Sequence, residues 1–444
     1  MATITKPCPS TNWTSYDAWG YDGMKERLER FMGSIDKSAL LEHVEQVTGK
    51  AATMSDPFSA SQFWCCFEFI LSDESLIIAR VRLPRHPESN DDVNEESELY
   101  AIECEVATMR FVQGKATSVP SPCLYAYAGP GSQQAAKVGA CFMLIEGFYG
   151  NTLQDVKFDI CDLPIQTQEH ILTQWTSIQA ELASFSFPTI GSIAHFAQDT
   201  GPTIGKLATA VAEGLQTAGP FLSSHDYFKA VGDAKHLQAC KNYEADADDD
   251  DDDDDDADIF TVLGPFIFRD IVQRTDLFKG PGNTGPFHFN HMDMGTQNIL
   301  VDDAFNFLAI IDWEFAQSVP AEVNHYPMPF PLISSDAEIE HILSNPDSVT
   351  YRNVQRHVKA REIYQRSFSA AEQALAGKGR PLQSSIAKAL DGPASRVYAA
   401  LGKIAIFDGM GEELTREMIR LAFGRTGEEA DEYVEKMKMK IKES

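Results

Sequence analysis

One stretch, Phe287 to Glu314, constrains the fold of this 444-residue chain more than any other. It reads FHFNHMDMGTQNILVDDAFNFLAIIDWE, and in it two short apolar runs flank the turn-forming residues 302–306. This pattern predicts a β-hairpin. A hairpin brings its two ends together, so we expect Asn298, at the start of the first strand, to lie beside Asp312, which follows the second strand.

The same stretch carries side chains that suit metal binding and proton transfer. Asp293 stands five residues before Asn298, and Asp312 follows fourteen residues after Asn298. Two carboxylates and an amide converging in one cleft suit a hard cation such as Mg²⁺. Taken singly, Asp293 and Asn298 are typical of turn caps and Asp312 of a hairpin end. Their order and spacing, however, match the kinase layout, in which one Asp meets the substrate hydroxyl while the Asn and the second Asp hold metal.

Together these residues resemble the catalytic core of the aminoglycoside and choline phosphotransferase family. In that family, which is related to protein kinases, the second Asp is followed by Trp-Glu, as it is in Asp312-Trp313-Glu314. The segments IARVRLP (78–84) and EVATMRFV (105–112) resemble fungal members of the family in particular. The resemblance implies that Asp293 is the catalytic base and that Asn298 and Asp312 are Mg²⁺ ligands. His291 is expected to support the loop by hydrogen bonds.

The resemblance also assigns roles in the N-terminal part of the chain. Arg80 takes the place of the usual phosphate-contacting Lys, and because guanidinium is planar and forked this exchange is not neutral. Glu105 is the expected helix partner of Arg80, with Glu103 as the competing candidate. Residues Ile145, Glu146 and Gly147 resemble the strand that runs into the hinge, whose backbone receives the adenine of ATP.

The implied fold class is α+β, a bilobal protein-kinase-like fold with a small β-rich N-lobe and a larger, mainly helical C-lobe. We expect a helical extension over residues 1–50, the N-lobe over 51–147 and the C-lobe over 148–444. Within the C-lobe, the acidic segment 244–258 includes nine consecutive Asp residues. Like charges at this density repel one another and bury nothing, which predicts a disordered insert.

Local patterns predict the individual elements. Strands are expected over 63–71, 76–83, 123–127 and 140–147, and a helix over 94–112. Helical patterns cover 24–47, 352–375, 383–407 and 412–442, and a helix is expected to follow Pro164. The region 196–240 is expected to be mixed and mainly helical. No glycine-rich loop precedes the strands, since residues 55–61 read SDPFSAS.

Charge and cysteine usage narrow the possible partners. The formal net charge is −29, and twelve of those charges lie in the acidic segment. The lack of clustered Lys and Arg argues against nucleic acid or an anionic membrane as a partner. The eight cysteines form no CxxC pair, and several lie in apolar runs, which indicates reduced thiols in a cytoplasmic protein. No signal peptide or membrane-spanning segment is expected.

The sequence therefore predicts an ATP-dependent phosphotransferase, with ATP and Mg²⁺ as cofactors and a hydroxylated small molecule as acceptor. An alternative from another functional class is a catalytically weak or inactive relative that binds nucleotide or acts as a scaffold. Arg80 and the glycine-poor loop favour that alternative. A protein kinase is disfavoured because the chain lacks the Asp-Phe-Gly and Ala-Pro-Glu motifs.

Overall fold

The structure is a computed structural model. It describes residues 24–60, 64–84, 94–248, 259–280, 282–327, 335–404 and 409–443, together with Cys8, Thr11 and Ile406. The chain divides into two compact units. The first contains Met1–Asn94, Val106–Lys157 and Thr296–Trp313, and the second contains Glu95–Glu105, Phe158–Gly295 and Glu314–Ser444.

The described strands are, in chain order, β1 (Ala52–Met54), β2 (Ser59–Ala60), β3 (Trp64–Leu71), β4 (Leu76–Arg82), β5 (Leu124–Ala128), β6 (Phe142–Gly147), β7 (Asn151–Thr152), β8 (Ser186–Phe187), β9 (Gly191–Ala197), β10 (Gly201–Ile204), β11 (Phe287–Asn290), β12 (Ile299–Val301), β13 (Phe307–Ile310) and β14 (Gln317–Val319).

The described α-helices are α1 (Met24–Ser34), α2 (Lys37–Thr48), α3 (Glu95–Lys115), α4 (Gln133–Val138), α5 (Leu153–Val156), α6 (Ile165–Ala183), α7 (Ser224–Asp248), α8 (Phe260–Arg274), α9 (Asp336–Ser344), α10 (Tyr351–Gly377), α11 (Ile386–Ala389), α12 (Pro393–Ile404), α13 (Gly411–Phe423) and α14 (Glu428–Glu443).

The first unit is built on an antiparallel sheet with the strand order β1-β3-β4-β6-β5, and β2 pairs with β3 at one end. Along β4, Ile77, Ala79 and Val81 are buried in an apolar core together with residues of α1, α2 and α4. Successive side chains of a strand point to opposite faces, so Arg80 and Arg82 project from the other face of the sheet. The alternation of β4 therefore places Arg80 away from this core.

A second, smaller sheet of the first unit carries the predicted hairpin. Strands β12 and β13 pair antiparallel, and β7 pairs with the other edge of β12. The turn is held by Asp302, whose carboxylate accepts hydrogen bonds from the backbone N–H groups of Ala304 and Asn306, both at 2.9 Å. Gly150 lies directly against this sheet, because a Cβ there would be only 2.5 Å from the Val301 carbonyl oxygen and from Leu308 Cδ1.

The second unit is mainly helical around its own apolar core. Helix α8 lies within that core and contacts α7, α12, α13 and α14. A separate sheet with the order β10-β9-β14-β11-β8 carries β11, which α6 covers. The fold is therefore α+β, with a smaller β-rich unit and a larger, mainly helical one, and the predicted fold class is confirmed.

Several predicted helices are divided by identifiable caps. The pattern 24–47 forms two helices, because the carboxylate of Asp36 accepts hydrogen bonds from Ser38 and Ala39 and begins α2. The pattern 412–442 is interrupted by Gly424 and Gly427, which have φ values of 69° and 53°. This left-handed conformation ends a helix and suits glycine. The pattern 383–407 likewise divides into α11 and α12.

The structure differs from the sequence-based prediction in two segments of the second unit. The region 196–240 was predicted to be mainly helical, but it contains most of the β9-β10 hairpin before α7 begins at Ser224. Helix α7 covers the first five residues of the acidic segment 244–258, and residues 249–258 lie outside the described part of the chain.

All eight cysteines are free thiols, in agreement with the prediction of no disulfide framework. Cys65, Cys104 and Cys161 are buried, whereas Cys123 is exposed. Within the described residues, no helix combines the length and the apolar character needed to cross a bilayer.

Candidate active site

The hairpin brings its two polar ends together as predicted. Ile299 pairs with Ile310, and beyond this pair the Ile311 N–H donates a hydrogen bond to the Asn298 carbonyl oxygen at 3.0 Å. Asn298 therefore lies opposite Ile311, the residue before Asp312. The residue Asn298 is 6% exposed, whereas the side chain of Asp312 is 31% exposed and open to an incoming group.

Asp312 has an unusual backbone conformation, with a φ of 64°. This left-handed region is uncommon for residues other than glycine, although Asp and Asn tolerate it best. The next residue, Trp313, is buried and donates a hydrogen bond from its indole Nε1 to the Ile310 carbonyl at 3.0 Å. Trp313 thus folds back on the strand end and fixes the turn that presents Asp312.

Arg80 reaches the same place from the larger sheet. Its Nη2 lies 3.7 Å from Asp312 Oδ1. The guanidinium is held over the Trp64 ring, with Cζ 4.9 Å from the ring centroid, and Nη1 lies 4.0 Å from Met143 Sδ. A cation over an aromatic face is attracted by the ring quadrupole. The first unit therefore unites Arg80, Asn298 and Asp312 of the predicted site.

Asp293 lies in the second unit, on the tight turn that follows β11. The Asp293 N–H donates to the His291 carbonyl and the Gly295 N–H donates to the Asp293 carbonyl, both at 2.9 Å. Met292, which lies between His291 and Asp293, has a φ of 66°. Asp293 itself is partly exposed, whereas His291 is fully buried. A compact turn of this kind holds a carboxylate at the surface in a fixed position.

A polar network within the second unit supports this turn. Asn290 Oδ1 accepts a hydrogen bond from the Met292 N–H at 3.1 Å, and Asn290 Nδ2 donates to Asn324 Oδ1 at 2.9 Å. The Asn324 Nδ2 group then donates to the Ala321 carbonyl at 2.9 Å and approaches His288 Nε2 at 3.0 Å. Because amide nitrogen can only donate, His288 Nε2 must be the acceptor.

This arrangement keeps His288 uncharged. Burial is the largest cause of the shift and lowers the pKa of His288 to about 4. His288 is 9% exposed and lies on β11. A neutral imidazole with a lone pair on Nε2 is the form that the Asn324 amide requires.

The remaining predicted residues are placed as follows. Glu105 is buried in α3, in the second unit, and its pairing with Arg80 stays a prediction. Ile145, Glu146 and Gly147 form the end of β6. The Glu146 N–H donates to the Cys123 carbonyl at 2.8 Å, so this backbone donor is used within the sheet.

The glycine-poor segment before β3 is described only in part. Ser59 lies in β2, which pairs with β3. Ser61 lies outside the described residues.

Another set of ligand-type side chains is present in the second unit. In the described part of the chain, one group of three His, Cys, Asp or Glu residues has ligand atoms within 4.8 Å of one another, and it consists of Asp159, Cys161 and His357. Arg356 Nη2 lies 2.7 Å from Asp159 Oδ2, and burial is the main cause of the raised pKa of the Cys161 thiol. A neighbouring guanidinium and a protonated thiol disfavour a metal ion there.

Sequence reasoning missed the residues that support the site. Trp64 was assigned only to a strand, and neither Asn290, His288 nor Asn324 was singled out. Asn290 and His288 lie within the motif stretch, so their proximity to Asp293 was a usable signal. Asn324 lies 31 residues beyond Asp293 and is joined to this loop by pairing of β11 with β14, which no local pattern reveals.

Comparison with known proteins identifies structural likeness only. No family model matches the chain, and no curated protein matches its sequence. Among solved structures, a candidate fructosamine-3-kinase from Thermobifida fusca YX-ER1 is 12% identical with a TM-score of 0.43, covering 88% of this chain and all of that one. A type I macrolide 2'-phosphotransferase is 10% identical with a TM-score of 0.35, covering 87% and 98%. The macrolide 2'-phosphotransferase of Brachybacterium faecium is 12% identical with a TM-score of 0.38, covering 88% and 98%.

Proposed function

We propose that this protein is an ATP-dependent phosphotransferase that moves the γ-phosphoryl group to a hydroxyl of a small molecule. The observation that carries the proposal is the approach of Arg80 to Asp312 at 3.7 Å, with Asp312 held in a left-handed turn beside Asn298. A cation, a carboxylate and an amide at one place are the groups that a metal-bound polyphosphate requires.

The residues present fit Mg²⁺ and ATP. Asn298 and Asp312 offer the oxygen ligands that a hard cation prefers, and two protein ligands leave room for water and phosphate oxygens. The separation of 3.7 Å between Arg80 and Asp312 exceeds ordinary hydrogen-bond length, so the carboxylate is not committed to a tight ion pair. When bound, Mg²⁺ would neutralise part of the charge on the phosphates.

The chain's own residues would have separate roles in phosphate binding, proton transfer and support of the catalytic turn. Arg80 would bind phosphate oxygens, because a guanidinium presents a fork of N–H donors. Asp293 would accept the proton of the acceptor hydroxyl as that oxygen bonds to the γ-phosphorus and the bond to the departing ADP oxygen breaks. The Asn290–Asn324–His288 network would hold the Asp293 turn in position.

Replacement of the proposed base tests this assignment. In Asp293→Asn, transfer of the γ-phosphoryl group to hydroxylated acceptors should fall by a factor on the order of 10² to 10⁴, because the proton acceptor is removed. ATP affinity, measured by calorimetry, should stay nearly unchanged. The matched control is Asp303→Asn, since Asp303 is an exposed residue of the neighbouring hairpin turn.

Equal turnover in Asp293→Asn and in the wild type would exclude Asp293 as the base. If the wild-type protein neither binds ATP nor transfers phosphate, the weak or inactive scaffold becomes the better account.

A further inference from the structure

A cavity of about 410 Å³ lies within the second unit, and none of its described wall residues belongs to the proposed ATP site. The wall is formed by Ala183 at the end of α6, by Leu277 and by residues from the stretches 282–288, 319–322 and 382–395. A cavity of this size accommodates a small organic molecule.

Most of this wall is apolar. Phe287, Val319 and Ile386 are buried residues of the wall, and Leu277 and Leu382 extend the apolar surface. Small-molecule sites typically combine such a lining with a few polar groups that fix the orientation of the ligand. The polar groups of this wall therefore indicate which ligand the cavity suits.

The first of these polar groups is Ser395, in the first turn of α12. The residue is 1% exposed, and its Oγ is a buried atom for which the described residues provide no hydrogen-bond partner. Buried hydroxyl groups are normally hydrogen-bonded, because an unpaired one loses its contacts with water and gains nothing in return. A polar atom of a ligand would supply the partner that Ser395 lacks.

The second polar group is Glu322, which is the carboxylate of the described wall. Glu322 is partly buried, and burial raises the pKa of its carboxyl group. In the described part of the chain its hydrogen-bond donor is its own backbone N–H, and no ion pair joins it to a cation. A carboxylate in this environment is stabilised when its charge is neutralised, either by a proton or by a bound cation.

An organic ammonium ion suits this carboxylate better than the other available cations. Lys388 also lines the cavity, but its side chain is exposed on α11, and in the described structure it forms no ion pair with Glu322. Mg²⁺ and Ca²⁺ require several oxygen ligands, and the wall offers one carboxylate. A single ammonium charge matches one carboxylate, and a carbon body matches the apolar wall.

The cavity also borders groups that hold the Asp293 turn. His288 and Ala321 both belong to its wall. Asn324 Nδ2 donates to the Ala321 carbonyl at 2.9 Å and to His288 Nε2 at 3.0 Å, and Asn324 Oδ1 accepts from Asn290. A ligand in the cavity would therefore lie beside two of the contacts that support this turn.

We propose that the cavity lined by Glu322 and Ser395 binds a small organic molecule that carries an ammonium group on an apolar body. Glu322 would pair with the ammonium group, and Ser395 Oγ would form a hydrogen bond with a polar atom of the ligand. This site is additional to those proposed for ATP and Mg²⁺, and the proposal does not depend on phosphoryl transfer.

The test is a calorimetric titration of the full chain, without ATP or Mg²⁺, with phenethylamine and separately with phenethyl alcohol. The two probes have the same apolar body, but only the amine is cationic at neutral pH. The wild type should bind the amine more tightly than the alcohol. Glu322→Gln should weaken amine binding tenfold or more and leave alcohol binding nearly unchanged, because it removes the charge and keeps the size of the side chain.

Ser395→Ala provides a second, independent variant. Its thermal unfolding should match that of the wild type, because the lost hydroxyl has no partner in the described structure, but it should bind the amine at least threefold more weakly. If Glu322→Gln fails to fold, Ser395→Ala decides the question alone. The matched control for Glu322→Gln is Glu340→Gln, because Glu340 is exposed on α9 and lies outside the described wall.

Asp293→Asn and Asp312→Asn separate this site from the proposed phosphotransferase site and should leave the affinity for the amine unchanged. Loss of amine binding in either of them, but not in Glu322→Gln, would overturn the proposal, because the amine would then occupy the other site. Equal affinity of the wild type for both probes, or no binding of the amine, would also overturn it. These titrations contain no ATP, so their failure is distinct from failure of the phosphotransferase proposal.

Discussion

At the scale of single residues, Arg80 is the strongest departure from the pattern of the family that the sequence resembles. Its guanidinium lies over Trp64 and approaches Asp312, so its plane faces the indole ring and its charge faces a carboxylate. An ammonium group is compact and lacks the planar fork. The Trp64 ring thus offers a flat face on which the planar guanidinium of Arg80 stacks.

This pairing predicts that Arg80→Lys, although it introduces the residue usual in the family that the sequence resembles, weakens Mg²⁺-dependent ATP binding. Loss of the stacked fork should raise the Kd by roughly three- to thirtyfold, which corresponds to about 0.7 to 2 kcal/mol. Arg82→Lys is the matched control, because Arg82 lies over the same ring, at 5.6 Å. Tighter ATP binding by Arg80→Lys would show that Trp64 does not select for arginine.

His288 gives a prediction on pH. Its pKa is about 4 in the folded chain, below the ordinary 6.5, so between these values the unfolded chain binds more protons. The free energy of unfolding should therefore fall as the pH drops from 6.5 toward 4, with His288 contributing up to about 1.4 kcal/mol per pH unit.

Denaturant unfolding at pH 7 and pH 5 measures this effect. Burial lowers the pKa of other histidines too, including His236 and His325, so the comparison must be with a variant. His288→Gln keeps an acceptor for Asn324 and should reduce the loss of stability at pH 5. His341→Gln, at an exposed position, should not. An equal loss in His288→Gln and the wild type would show that His288 is not the group that titrates.

At the scale of elements, the site depends on how the small hairpin sheet rests on the segment after β6. Gly150 allows this approach, since a Cβ would meet the Val301 carbonyl at 2.5 Å and Leu308 at the same distance. Backbone atoms cannot move aside as a flexible side chain can. The position of β12 and β13, and with it that of Asn298 and Asp312, thus depends on the absence of a Cβ atom at Gly150.

We predict that Gly150→Ala lowers the free energy of unfolding by about 1 to 3 kcal/mol, as overpacking usually does. It should also weaken ATP binding by displacing the hairpin. The control is Gly33→Ala, because Gly33 is exposed in α1 with no atom within 4 Å of its Cβ position, and alanine is the better helix former. If thermal unfolding shows Gly150→Ala to be as stable as Gly33→Ala, the approach of Val301 and Leu308 does not restrict the side chain at residue 150.

Elements with strong local patterns could be predicted from the sequence. The hairpin around Asp302 and the strands β3 and β4 follow from alternation and turn chemistry alone. Helix ends were less predictable, because the break at Asp36 depends on a side-chain cap that a periodic apolar pattern does not contain. The β9-β10 hairpin was missed, and only the start of β9, at Gly191 and Ser192, pairs with the distant strand β14.

At the scale of the whole molecule, the same distinction holds for the site. Asp293, Asn298 and Asp312 were identifiable because they lie within one stretch and in a fixed order. The contact of Arg80 with Asp312 joins residues 232 positions apart and was not predicted, since the family resemblance gave Glu105 as the expected partner of Arg80.

The two units carry different parts of the proposed chemistry. The first unit supplies Arg80, Asn298 and Asp312, the groups proposed to hold ATP and Mg²⁺. The second unit supplies Asp293, the proposed catalytic base. Nucleotide binding and proton transfer can therefore be tested by separate substitutions in the intact chain.

The most direct test of the central claim is a calorimetric titration with ATP, with and without Mg²⁺, on the wild type, Asp312→Asn and Asp303→Asn. Asn tolerates the left-handed conformation of residue 312, so the exchange removes charge without adding backbone strain. We predict binding that requires Mg²⁺, that weakens tenfold or more in Asp312→Asn and that is unchanged in Asp303→Asn. Absence of ATP binding, or binding indifferent to both Mg²⁺ and Asp312, would contradict the phosphotransferase account.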